Sequence, residues 1–254
     1  MMGEAVVLHG QAERLDQIGD GTIKLVVTSP PFFDQVTEAK LREPVSRQRD
    51  FDGVQADLFR YADSLIGAFH EIARVLGTGG TLVLHTKDIR YGEFLIPLAA
   101  RHEALAHAAG LRTRTRILWM PSDRPPRSGK RGVDNPVRES FRAPDTEIFV
   151  VLRPPSRRVR RGEALPSLRN AEWFADPIWR TPGETTQPRH RHASPPVPLA
   201  RFIEFFSAPG DLVLDPFCGG GGVLDAARRM GRRAIGVDIN PACVEAARGR
   251  LEAA

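Results

Sequence analysis

Cysteine is scarce in this 254-residue chain: there are two, Cys218 and Cys243. So few thiols do not suggest a disulfide framework, and a reducing compartment, the cytoplasm, is the expected location. Long apolar runs are also missing; Phe94–Ala100, FLIPLAA, is among the longest, and no membrane span is expected. The opening residues MMGEAVVLHG lack the charged start and long apolar core of a secretory signal. Seven histidines and two cysteines fall into no CxxC or HExxH spacing, so no metal is expected. No internal repeat is visible.

What is present is ordinary in amount and uneven in placement. Hydrophobic residues make up 41% and charged residues 26%, as in a globular chain of one large or two small domains. The formal net charge is +5. Residues 121–191 hold 15 Lys and Arg against 9 Asp and Glu, a local +6 that leaves −1 for the remainder. A Pro- and Arg-rich segment of that kind can attract a polyanion, or it can be a solvated basic loop; charge alone does not choose.

Short apolar runs alternate with helical periodicity. Strands are expected at Ala5–Gly10, Thr22–Ser29, Thr81–Thr86, Thr113–Met120, Thr146–Pro154, Asp211–Asp215 and around Arg233–Asp238. Helices are expected at QAERLDQI, at Leu58–Leu76 with GTGG ending it, near Glu93–Gly110, at Pro198–Ser207, at Val223–Gly231 and at Pro241–Ala254. Residues 35–57 read as a polar loop, and Arg153–Pro198 shows no periodic element. Strands that are apolar throughout and alternate with helices predict an α/β fold with a mostly parallel sheet covered on both faces. Ligands of such sheets sit at the carboxyl ends of the strands.

The densest chemical signal is VLDPFCGGGGVLDAARRMGRRAIGVDIN. One strand ends in Asp215, a glycine run opens a helix, and the next strand ends in Asp238. Glycines let backbone approach a nucleoside, and an acidic residue about 20 positions on can take both ribose hydroxyls. The third glycine of a dinucleotide GxGxxG counted from Gly219 would fall on Leu224, and no GK[ST] follows, so both phosphate-binding signatures are absent. Asp215 would repel a pyrophosphate and favour a ligand with a cationic end. S-adenosylmethionine has one, together with a ribose diol for Asp238 and an adenine for apolar neighbours such as Ile239. The bland alternative is a strand–helix turn flanked by two capping aspartates.

A second stretch, LVVTSPPFFD, ends a strand in Thr28-Ser29 and follows at once with Pro30, Pro31, Phe32 and Phe33. Proline has no ladder N–H, so the strand must stop there. With TSPPF first and DPFCGG near the end, the chain resembles the amino-directed DNA methyltransferases of the permuted β arrangement, which methylate cytosine N4 or adenine N6. EIARVLGTGGTLVL, ILWMPS, TEIFVVLRP, PIWRTP and HASPPVPLARFI leading into PGDLVLDPF extend the resemblance over nearly the whole chain. It implies a circularly permuted Rossmann-like methyltransferase fold in which Val6–Leu8 pairs beside Ile235–Asp238. It also implies S-adenosylmethionine held by Thr28, Asp215, Pro216, Phe217, Cys218, Gly219, Asp238, Ile239, His192 and Ser194. There are departures: Gly219–Gly222 lacks the family's hydroxyl residues, Gly10-Gln11 stands where Gly-Asp is usual, and RHASPPVP is one residue off the family's His-x-Ala-x-Phe-Pro.

The resemblance gives TSPPF a task. The target amine has its lone pair delocalised into the base, and acceptors on its two N–H groups free it; Ser29 Oγ and the Pro30 carbonyl suit that role, with Pro31 stiffening the turn. Phe32 is the expected stacking partner of a base flipped out of the duplex, and Phe33 is expected to pack in the fold. Serine rather than aspartate leans towards cytosine N4. Adenine N6, an RNA or small-molecule methyltransferase, and a nucleic-acid-binding protein without catalysis are the alternatives. Residues 1–120 and 192–254, with the strand 146–152, form the expected catalytic domain; 121–191 is the expected target-recognition region, with Arg124, Arg127, Lys130 and Arg131 on the DNA backbone. The resemblance leaves a homodimer and a partner restriction endonuclease open.

Overall fold

Valine, leucine and isoleucine in runs too short for a helix become strands buried on both faces, and these strands set the frame. The computed structural model describes residues 3–31, 33, 51–91, 94–121, 146–155, 172–181 and 196–253. In chain order the elements are β1 (Ala5–His9), β2 (Ile23–Thr28), α1 (Phe51–Val75), β3 (Leu76–Thr86), β4 (Ile89–Tyr91), β5 (Phe94–Ile96), α2 (Leu98–Ala108) and β6 (Arg112–Pro121). They continue as β7 (Glu147–Arg153), β8 (Ile178–Thr181), α3 (Pro196–Phe206), β9 (Leu212–Asp215), α4 (Gly222–Arg229), β10 (Arg233–Asp238) and α5 (Pro241–Glu252).

Eight strands form one sheet in the order β1-β10-β9-β2-β3-β7-β6-β8, and β4 and β5 make a separate hairpin. Within the sheet β7 runs against its neighbours β3 and β6; the other pairings are parallel, as expected. The expected permuted pairing is present, with Val6 opposite Ile235, Val7 opposite Gly236 and Leu8 opposite Val237. The chain has a Rossmann-like α/β fold, with helices on both faces of the sheet.

Alternation along the strands divides the core in two. Val26, Leu82, Leu84 and Val150 meet α1 and α2 through Leu58, Leu65, Phe69 and Leu98. Leu25, Val27, Val83 and Phe149 face the other way, onto α3, α4 and α5 through Leu199, Phe202, Val223 and Val244. Phe202 is fully buried and lies 4.9 Å from the Phe149 ring and 5.0 Å from Trp179, a stack that holds α3 on the sheet.

Several local expectations are revised. QAERLDQI forms two isolated turns, Arg14 N–H to Gln11 O and Ile18 N–H to Leu15 O, because Leu15 and Ile18 are used as plugs under the sheet and not as one helix face. Helix α1 starts at Phe51 rather than Leu58: Phe51 and Val54 continue the apolar spacing that Gly53 disguised as loop. GTGG does not cap that helix. It opens β3, where Gly77 passes so close to Gly21 that a Cβ would lie 2.5 Å from its carbonyl oxygen, and a register shift follows at Ile23/Leu25. The β4–β5 hairpin occupies the first part of the expected third helix, since Pro97 delays its start to Leu98. Ile178–Thr181, in a stretch read as irregular, is a strand parallel to β6, four residues being too few for a period to show. Among the described residues no helix is long and apolar enough to cross a membrane.

Truncating Phe202 to alanine should cost about 3–5 kcal/mol, the range for a large aromatic lost from a core. Urea unfolding of Phe202→Ala against wild type measures it.

Candidate active site and cofactor turn

The site forms where the carboxyl ends of β9 and β2 lie side by side, with Leu25 opposite Val213 and Val26 opposite Leu214. Proline ends β2, so the chain leaves the sheet at Ser29 while β3 runs on to Thr86. The Thr28 hydroxyl donates to Asp215 Oδ1 at 2.7 Å, a buried bond between residues 187 apart in sequence. The same oxygen accepts the Phe217 N–H at 3.2 Å. The TSPP corner and the DPF turn are thus tied by a side chain from each.

Beyond Asp215 the turn is shaped by glycine and by the second aspartate. Gly219 and Gly221 have φ of +49° and +76°, which a Cβ disfavours, and a Cβ on Gly221 would press on Ala247 of α5 at 3.0 Å. Around Gly219 that space is open. Asp238 Oδ2 accepts the Gly219 N–H at 2.9 Å and its Oδ1 accepts the Asn240 N–H at 2.8 Å. Each carboxylate oxygen keeps a second acceptor site, so the bland capping role and a grip on two hydroxyls are compatible. Cys218 is buried, donates its N–H to Val237 O at 3.0 Å, and packs where a Cβ on Gly236 would be 2.9 Å from its sulfur. Burial, with Asp215 and Asp238 nearby, pushes its thiol well above the ordinary range, so it stays a neutral packing group. Ile239 follows Asp238 as an exposed apolar residue.

Asp215 is the anomalous group. It is 5% exposed, and burial, with Asp238 adding repulsion, raises its carboxyl from 3.8 to about 7 against the opposing pull of the Thr28 hydroxyl and the Phe217 N–H. A buried carboxylate facing a second one, beside open backbone, is a place that a cation relieves. The residues present therefore fit the cationic, diol-bearing cofactor expected from the motifs.

Thr28, Ser29, Pro30, Pro31, Asp215, Pro216, Phe217, Cys218, Gly219, Asp238 and Ile239 all lie on this one edge. Phe32, His192, Ser194, Arg124, Arg127, Lys130 and Arg131 lie outside the described residues, as do residues 35–50 of the expected loop. Phe33 is buried, edge-on to the Tyr61 ring at 5.7 Å. The sequence reading missed the corner's support: the Tyr61 hydroxyl donates to Pro31 O at 2.8 Å and lies 2.6 Å from His102 Nε2. Tyr61 lies in the expected helix Leu58–Leu76 at apolar spacing with Leu58 and Leu65, and His102 shares a buried helix face with Leu98 and Ala106. A polar ring on that face was the available signal.

Comparison with known proteins decides the family. A family model described as DNA methylase matches residues 23–249. The chain belongs to the DNA methylase family. It is similar to the type II methyltransferase M.MjaI of Methanocaldococcus jannaschii, 27% identical over 92% of this chain and 86% of that one. M.MthZI of Methanothermobacter thermautotrophicus is also 27% identical, over 89% and 70%. Among solved structures, one described as a DNA modification methylase of Thermus thermophilus in complex with S-adenosyl-L-methionine has a TM-score of 0.69 at 25% identity, covering 100% of this chain and 94% of that one. The PvuII cytosine-N4-specific DNA methyltransferase, at 16% identity, has a TM-score of 0.70 over 98% and 87%, a likeness of fold. The protein is thus a DNA methyltransferase of the cytosine-N4/adenine-N6 family, and S-adenosylmethionine is its cofactor.

The raised Asp215 carboxyl has a measurable sign. Unfolded, it ionises near 3.8; folded and unliganded, near 7. Unfolding in that window releases a proton, so this group's contribution to stability declines as pH rises from about 4 to about 7 and is level above. Asp215→Asn removes the decline. Its urea midpoint relative to wild type should therefore be higher at about pH 8 than at about pH 5. A difference independent of pH contradicts the assignment.

Proposed function

We propose that this DNA methyltransferase acts on the exocyclic N4 of cytosine, with the amine held by Ser29 Oγ and the Pro30 carbonyl. The observation that carries the reading is the Thr28–Asp215 hydrogen bond: it fixes the residue before Ser29 against the cofactor turn. Two rigid acceptors on the amine's N–H groups draw the nitrogen out of conjugation, so its lone pair leaves the ring plane. Pro30 is buried and Pro31 is held through its carbonyl, so the acceptors are set before the base arrives. S-adenosylmethionine, when bound, supplies an electrophilic methyl group. Asp215 would meet its cationic end, Asp238 its ribose and Ile239 its adenine. Thr28, Pro216, Phe217, Cys218 and Gly219 complete that wall, with His192 and Ser194 assigned to it by resemblance. As the nitrogen gains the methyl, the methyl–sulfur bond breaks, and one of the two N–H protons held at the corner leaves to water.

The choice of cytosine rests on the resemblance, in which aspartate at the position of Ser29 goes mainly with adenine; a neutral in place of a charged acceptor does not by itself choose the base. The base leaves the duplex and stacks on Phe32, a contact of the kind worth about 1–3 kcal/mol. Residues 1–120 and 192–254, with the strand 146–152, act as the catalytic domain and the rest of 121–191 as the target-recognition region, in which Arg124, Arg127, Lys130 and Arg131 neutralise phosphates. A partner restriction endonuclease and a homodimer belong to the same reading.

Incubation of mixed-sequence DNA with label-carrying S-adenosylmethionine, followed by nucleoside identification, tests the base. N4-methylcytosine is expected; N6-methyladenine overturns the choice and leaves the family intact. Ser29→Ala should keep cofactor affinity by calorimetry and lose about 100-fold or more in transfer rate, as for removal of a preorganised polar partner at a reacting centre. Unchanged turnover removes Ser29 from the mechanism.

A further inference from the structure

Two successive prolines give the corner a rigid backbone and deprive it of N–H groups. Only carbonyls remain by which Pro30 and Pro31 can be tied to the rest of the protein. One tie is present. Tyr61 of α1, His102 of α2 and Thr86 at the end of β3 form a buried line of polar side chains, none more than 3% exposed, that ends on Pro31. The Tyr61 hydroxyl is 2.8 Å from Pro31 O and 2.6 Å from His102 Nε2, and His102 Nδ1 is 2.9 Å from Thr86 Oγ1.

Proton counting fixes the direction of this line. The Pro31 carbonyl can only accept, so the single Tyr61 proton goes to it. His102 Nε2 must then carry a proton and donate to the Tyr61 oxygen. A neutral imidazole protonated at Nε2 has a bare Nδ1, which accepts from the Thr86 hydroxyl. Burial favours the neutral ring, lowering His102 from 6.5 to about 4. Three elements distant in sequence thus leave one tautomer and one hydroxyl orientation, both aimed at the corner. Packing alone does not require the hydroxyl: the Tyr61 ring already meets Phe33 edge-on, and phenylalanine would fill the same space.

We propose that Tyr61, oriented by His102 and Thr86, is a positioning residue for methyl transfer: through Pro31 O it sets where Ser29 Oγ and the Pro30 carbonyl meet the target amine. The inference rests on the role proposed above for Ser29 and Pro30. None of the three touches the base or the cofactor.

Tyr61→Phe, which keeps the ring, is compared with wild type by thermal unfolding, by calorimetry with S-adenosylmethionine, and by single-turnover transfer at saturating DNA and cofactor. The expected result is a folded protein with wild-type cofactor affinity and unchanged KM for DNA, and a transfer rate lower by about 10- to 100-fold, the scale of an ångström misplacement at a reacting centre. His102→Gln, whose amide nitrogen can stand at the Nε2 position and donate to Tyr61, should retain more of the rate than His102→Leu. A Tyr61→Phe rate equal to wild type overturns the proposal, as does a loss matched by an equal loss of cofactor binding. If wild type binds cofactor and methylates no DNA base, the reading beneath fails first and takes this one with it.

Discussion

A single hydroxyl bonded to a single buried carboxylate, Thr28 to Asp215, joins the two halves of the chemistry. The two residues terminate adjacent parallel strands, so the bond needs no loop to reach across. Everything placed after Thr28 inherits its position from this contact on one side and from the Pro31–Tyr61 contact on the other. Two prolines pinned at both ends make a stiff corner from hydrogen bonds and ring closure alone.

The two aspartates do different work although both end a strand and both accept backbone N–H groups. Asp238 bonds Gly219 and Asn240 at a half-open rim, where water or a diol can share its oxygens. Asp215 is enclosed, and its neighbours do not fully compensate its charge. An uncompensated buried carboxylate is a cost that the unliganded protein carries and a cationic ligand removes. The anomaly thus doubles as selectivity, since a phosphate in the same place would add to the repulsion.

Much of this was legible in the residues. The DPF turn, the TSPP corner and their order along the chain led to the permuted topology, and the β1–β10 pairing followed from it. The rest was marked neither by period nor by punctuation. Gly77 in GTGG looked like a helix stop and is a close backbone crossing inside a strand. Leu15 and Ile18 carried helical spacing and close one isolated turn, separate from the Gln11–Arg14 turn before it. Ile178–Thr181 is too short to announce itself and is a strand only because β6 offers it a partner. Tyr61 and His102 fall inside two expected helices without any local mark, and their polar atoms gain meaning only when three elements meet. Local composition cannot encode a meeting of that kind.

The interposition of β9 and β10 between β1 and β2 has a consequence for assembly. The first two strands of the chain are consecutive in sequence, yet in the sheet they are separated by two strands that come some 200 residues later. Until those arrive, β2 presents a bare flank of apolar backbone, and β1 has no neighbour at all. Closure of such distant pairings is slow relative to local helix formation. A polypeptide emerging from the ribosome therefore holds its central ladder open until β9 and β10 are made, and its demand for chaperones should last until then.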